Sequence, residues 1–199
     1  MAALSTKRGG TEAMAAELEG QGLKVLSVEA DVGDALSVDA AVERVLRELG
    51  PVDVLVNNAG IVRRVPLVEM TDADFDDVLR VNLSGPFYFA RRIAPQMVAR
   101  RQGRIINVSS ISGTLGSPKM SGYCASKWGL NGLTQALSEE LKESGVFVAA
   151  VMPGSVDTRM LEGSGFAPKM SPEEVARVVR FLATEAPFAM TGSLVEVFG

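Results

Sequence analysis

Short runs of consecutive apolar residues alternate along the chain with stretches in which apolar residues recur every three or four positions. Lys24 to Ala30 is the first clear strand, followed by a helical pattern over Val38 to Leu49. Val52 to Val56 has the continuous apolar character of a buried strand and runs into Asn57-Asn58-Ala59-Gly60. Thr71, with Asp74 three residues on, opens a helix through Asn82 that Gly85-Pro86 and Pro95 should bend or break.

Further strands are predicted over Arg104 to Ser109, Phe147 to Met152 and Ser193 to Phe198. Between them, Tyr123 to about Lys142 is the longest helix, and Ser171-Pro172-Glu173-Glu174 starts another with serine as cap. Apolar strands separated by helices of this length specify an α/β fold, a doubly wound, Rossmann-like parallel sheet covered on both faces. With 199 residues, 47% of them hydrophobic, the chain suits one domain spanning 1–199.

Chemistry enters through what is missing. The chain has no histidine, so proton transfer near neutral pH must come from another side chain whose pKa the protein shifts. One cysteine, Cys124, leaves no intrachain disulfide, no usual zinc site and no histidine-based nucleophile chemistry. A net charge of −4 without a basic stripe argues against a nucleic-acid surface, and no segment has signal-peptide or membrane-spanning character. The expectation is a cytoplasmic protein with a small-molecule substrate, no metal, no nucleic acid and no membrane.

Ser110, Tyr123 and Lys127 stand out against this background. Lys127 lies one helical turn after Tyr123 on the same face, where an ammonium would favour the phenolate. In open α/β sheets ligands bind beyond the carboxyl ends of strands, and Asp31, Asn57 to Gly60, Ser109-Ser110 and Pro153-Gly154 all fall there.

Taken together, these segments resemble the short-chain dehydrogenase/reductase family from about residue 4 to the end, in general pattern most like its 3-oxoacyl-acyl-carrier-protein reductases. The resemblance implies a catalytic tetrad of Asn82, Ser110, Tyr123 and Lys127 acting with NAD or, weakly preferred, NADP. It places Asp31 and Val32 near the adenine, Asn58, Ala59 and Gly60 along the cofactor, and Tyr123 and Lys127 at its ribose. Pro153, Gly154, Val156 and Thr158 would hold the nicotinamide carboxamide, and Lys7 and Arg8 would meet a 2′-phosphate. It also implies a homodimer or homotetramer, with Trp128, Leu130, Leu133 and Leu137 as core or interface residues.

One departure is large. The chain has no Thr-Gly-x-x-x-Gly-x-Gly turn, and Ala2-Ala3-Leu4-Ser5 resembles the end of the family's second strand. An initial unit of about 30 residues, the size of a βαβ element, is therefore expected to be absent and to leave a gap in mid-sheet. The leading reading is an NAD(P)-dependent ketone/secondary-alcohol oxidoreductase, including 3-oxoacyl thioester reduction. The alternative is a catalytically silent member acting as an interaction or assembly subunit.

Overall fold

The computed structural model describes residues 1–5 and 8–199. Lys7, and with it the side chain of Arg8, lies outside the described residues. The elements run β1 (Ala2–Ser5), α1 (Arg8–Gly20), β2 (Leu26–Glu29), α2 (Ala35–Leu49), β3 (Val54–Asn57) and α3 (Asp72–Leu79). They continue with α4 (Gly85–Arg100), β4 (Gly103–Val108), α5 (Ser121–Leu141), β5 (Val146–Pro153), α6 (Pro172–Thr184) and β6 (Leu194–Val197).

All strand pairings are parallel, as expected, but they form two sheets among the described residues: β1-β2, and β3-β4-β5-β6. Between the two lies a cleft of about 210 Å³ lined by Ala2 and Leu4 of β1 and by Leu55, Val56 and Asn57 of β3. The expected gap is thus present as an open slot, with one edge of β1 and one edge of β3 left unpaired.

The four-stranded sheet is closed on both faces because β5 is apolar at every position and Ile105 and Ile106 of β4 face opposite sides. Val146 and Val148 of β5 point with Ile105 toward Phe89, Ile93 and Met97 of α4. Phe147, Ala149 and Val151 point the other way, with Ile106, toward Leu182 and Ala186 beside α6. Arg104 secures that second layer by donating to the Leu182 and Ala186 carbonyls at the end of α6, with its guanidinium 4.7 Å from the Phe147 ring.

Helix α2 belongs to both halves. Val38 and Val42 join the α4 core, whereas Ala41 and Val45 pack with Val28 and Ala30 on the small sheet. Arg92 of α4 reaches across to Asp39 of α2 in a bidentate ion pair. The helix starts at Ala35, three residues earlier than its apolar pattern suggests, because Asp34 caps it by accepting from the Leu36 amide.

Three expectations need correction. Helix α1 has no counterpart in the sequence reading, since its glycines and weak apolar stripe do not announce a helix. Gly85-Pro86 does not break the helical path: a π-helical turn over Arg80–Ser84 joins α3 to α4, and Pro86 takes the first turn of α4, where its missing N–H is harmless. Pro95 likewise lies inside α4 without ending it.

Candidate active site

Strand β4 ends at Val108, and Ser110 caps the short 3₁₀ turn Ile111–Gly113 by accepting from the Ser112 amide. That turn packs on α5 so closely that a Cβ at Gly113 would sit 2.4 Å from Asn131 Nδ2 and 2.9 Å from the Lys127 carbonyl. Asn131 in turn donates to the Gly113 carbonyl. The glycine sets the separation between the strand end carrying Ser110 and the helix carrying Tyr123 and Lys127.

Tyr123 and Lys127 are 8% and 4% exposed, so both ionisable groups face the protein interior rather than solvent. Lys127 Nζ donates to the Val108 carbonyl at 2.8 Å and lies 5.7 Å from the centre of the Tyr123 ring. Among the described residues no carboxylate lies within 4.0 Å of Nζ; burial alone pushes its pKa down to about 8. Burial also raises Tyr123, against the lowering influence of the Ser110 hydroxyl and the Arg64 guanidinium. The phenol is therefore held above its ordinary value, contrary to the expectation that Lys127 would draw it down. Each group loses hydration, which disfavours its charged form.

Asn82 is fully buried in the π-helical turn. Its Oδ1 accepts from the Ile61 amide at 2.8 Å, and its Nδ2 donates to the Ile61 carbonyl and to Ser126 Oγ. The side chain thus clamps the Asn57–Gly60 segment to α5. Pro86, lacking an N–H, cannot close the ordinary i→i−4 bond onto the Asn82 carbonyl. A second polar relay ties strands to helix: Asn57 Nδ2 donates to Asn107 Oδ1, and Asn107 Nδ2 donates to Thr134 Oγ1.

The remaining predicted positions divide by location. Val32, Asn58 and Ala59 line the cleft between the sheets. Gly60 faces the catalytic side, where a Cβ would stand 3.3 Å from Asn82 Oδ1 and 3.9 Å from Lys127 Nζ. Pro153 ends β5, Gly154 donates to the Val197 carbonyl, Val156 bridges to Met170, and Thr158 precedes the 3₁₀ turn Arg159–Leu161. The Asp31 carboxylate is engaged: it accepts from its own Gly33 amide and from Arg80 at 2.8 Å, and Arg80 holds it below its usual value.

Arg80, Ser126 and Arg64 were not singled out from sequence. Ser126 could have been, because it precedes Lys127 and lies at i+3 from Tyr123, whose carbonyl it caps at 2.7 Å. Arg64 gave no signal, since its partners are the Met160 and Glu162 carbonyls almost a hundred residues away.

The ribose and nicotinamide end of a dinucleotide fits these residues. Lys127 uses one of its three N–H groups, and Gly60, which has no side chain, stands next to its Nζ and to Asn82 Oδ1. The helix spacing, the strand-end serine and the free cation together suit proton exchange with an oxygen brought to Tyr123.

Comparison with known proteins agrees with this fold. Residues 1–167 match the short chain dehydrogenase family. The chain is 37% identical over 198 residues to a 3-oxoacyl-[acyl-carrier-protein] reductase of Synechocystis, covering 94% of this chain and 80% of the relative. It is 36% identical over 200 residues to the corresponding reductase of Thermotoga maritima, covering 94% and 81%. Among solved structures, a gluconate 5-dehydrogenase from Burkholderia cenocepacia, in complex with NADP and tartrate, superimposes with a TM-score of 0.93 at 27% identity, over all of this chain and 83% of that one.

Proposed function

Since the chain belongs to the short chain dehydrogenase family of NAD(P)-dependent oxidoreductases, we propose that it interconverts a ketone and a secondary alcohol at Tyr123. When bound, the nicotinamide supplies or accepts the hydride at the carbonyl carbon. Tyr123 gives its phenolic proton to the carbonyl oxygen in reduction and takes the hydroxyl proton in oxidation. Ser110 holds that oxygen, stabilising the charge that develops on it. A 3-oxoacyl thioester of the kind its reductase relatives are named for belongs to this substrate class.

Lys127 has the reach to bind the ribose hydroxyls with its two remaining N–H groups, and its charge favours the phenolate left after proton transfer. The Asn82 carbonyl, relieved of its ordinary helical donor by Pro86, is suited to hold a water that reconnects Lys127 with solvent. Asn58, Ala59 and Gly60 would run along the cofactor, with Asp31 and Val32 toward its adenine. Pro153, Gly154, Val156 and Thr158 would meet the carboxamide.

NADP is the preferred cofactor in this reading, supported by Lys7 and Arg8 in the sequence and by the NADP in the superimposable dehydrogenase. A homo-oligomer is supported by Trp128 and Phe87, which leave large apolar side chains on the surface of α5 and α4. No helix among the described residues is long and apolar enough to cross a membrane, and a free Cys124 suits a reducing cytoplasm.

The observation that carries the proposal is the buried Tyr123–Lys127 pair at the strand ends, its ammonium uncompensated by any described carboxylate. Fluorescence titration with NADPH and NADH, joined to turnover of a ketone panel, tests it. Binding by both wild type and Tyr123→Phe, with turnover in wild type alone, supports the reading. Absence of cofactor binding in both removes it.

A further inference from the structure

We propose that Arg64 anchors a carboxylate on the substrate, so that the ketone or alcohol presented to Tyr123 belongs to a small oxo or hydroxy acid. This rests on the oxidoreductase reading and names its substrate class.

Arg64 stands four residues beyond Gly60 on a segment fixed at two points, by the Asn82 clamp on Ile61 and by the Val65 amide donating to the Lys119 carbonyl at 3.0 Å. Its guanidinium crosses to the turn that follows Thr158, donating from Nη2 to the Met160 carbonyl at 2.7 Å and from Nη1 to the Glu162 carbonyl at 3.5 Å. The cation therefore spans the segments leaving β3 and β5, and its charge is felt at the Tyr123 hydroxyl, whose pKa it lowers.

The charge itself is uncompensated. Neighbouring Arg63 has Asp74 and Asp77 within 3.7 Å, whereas among the described residues no carboxylate lies within 4.0 Å of Arg64. Two of its five N–H groups meet backbone carbonyls, and its Nε is buried without a partner. A half-buried guanidinium with donors to spare is costly unless an anion meets it, and its planar fork matches a carboxylate. A neutral thioester offers no such group. The two fixed points make Arg64 a poor solvated charge, and because its charge reaches the Tyr123 hydroxyl, an anion held there can also position the carbonyl of the same molecule.

Pyruvate, acetoacetate and levulinate, each beside its methyl ester, vary the carboxylate's presence and its distance from the ketone. Reduction by NADPH and NADH is measured for wild type, Arg64→Lys and Arg64→Gln, and saturation-transfer NMR of the same compounds reads binding without turnover. For at least one chain length the acid should exceed its ester in kcat/KM by roughly ten- to hundredfold, mainly through KM. Arg64→Gln should carry that acid-to-ester ratio toward one, and Arg64→Lys should keep part of it.

Equal use of acid and ester by wild type overturns the proposal, as does a ratio that Arg64→Gln leaves intact while both rates fall. If no ketone is reduced but the acids still bind in an Arg64-dependent manner, the anion site stands and the oxidoreductase reading falls. If neither binding nor turnover of any acid depends on Arg64, the anion site falls.

Discussion

The four-stranded sheet and the β1-β2 pair are made from the same kind of sequence, short apolar strands followed by helices, yet one is sealed and the other is not. β4 and β5 have a strand on either side and apolar layers on both faces, so every residue of β5 is buried. β3, at the edge of the slot, leaves Val54 37% and Val56 41% exposed, apolar residues that would be covered if another strand lay beside them. Ser110, Tyr123, Lys127 and Asn82 all belong to the sealed half, whereas Val32, Asn58 and Ala59 line the slot. The chemistry is placed where the backbone is over-determined, and the elongated part of the proposed cofactor site lies where it is open.

The largest effect that would sharpen this contrast is chemical. Tyr123→Phe should lower kcat/KM by about 10²–10⁴-fold or more while leaving the thermal midpoint near that of wild type, since only a hydroxyl is lost from the sealed half. A parallel fall in activity and melting temperature would break the separation of chemistry from framework.

Packing gives the next. Ile106 is fully buried between β5 and α6, and Ile106→Ala should cost about 2–5 kcal/mol in urea unfolding. Val56→Ala at the slot should cost under about 1 kcal/mol, because its side chain is already partly in water. Equal costs would mean that the slot is as tightly packed as the core.

Lys127 shows what the site takes from stability. Its folded pKa of about 8 lies below the ordinary lysine value of 10.5, so between those pH values the unfolded chain holds more protons at this group than the folded one. Stability therefore rises with pH through that window. The cost of burying the charge is full below about pH 8 and vanishes above 10.5. Lys127→Met should gain up to about 3 kcal/mol at neutral pH and nothing near pH 10.5, while losing activity. A variant that is destabilised at neutral pH would show instead that the ammonium's bond to the Val108 carbonyl dominates.

The smallest effect falls on the element joining the two halves. Asp34→Ala removes the cap of α2 and should cost about 1 kcal/mol, felt by both sheets because α2 packs on each. A loss confined to the small sheet in site-resolved unfolding would show that α2 belongs to that half alone.

These regions also differ in how far the sequence discloses them. Tyr123 and Lys127 were legible because one helical turn separates them, and Ser110 because it follows an apolar run. The clamp of Asn82 on Ile61, the Asp31–Arg80 pair and the reach of Arg64 to Met160 join residues 21 to 96 positions apart, and no local pattern encodes such contacts. The upward displacement of Tyr123 was hidden for a related reason: sequence shows a lysine at the right spacing but not the burial that dehydrates both groups. The π-helical turn escaped notice because Gly85-Pro86 signals a helix end as readily as a helix start.

Amide hydrogen exchange along the chain, with and without NADPH, tests the division most directly. Without cofactor, Gly103–Val108 and Val146–Pro153 should exchange slowest and Ala2–Ser5 with Leu26–Glu29 fastest among the strands. NADPH should then add protection over residues 57–60, 108–113 and 153–158, at the carboxyl ends of β3, β4 and β5. Uniform protection of both sheets without cofactor, or NADPH protection that leaves those three segments unchanged, would contradict the account.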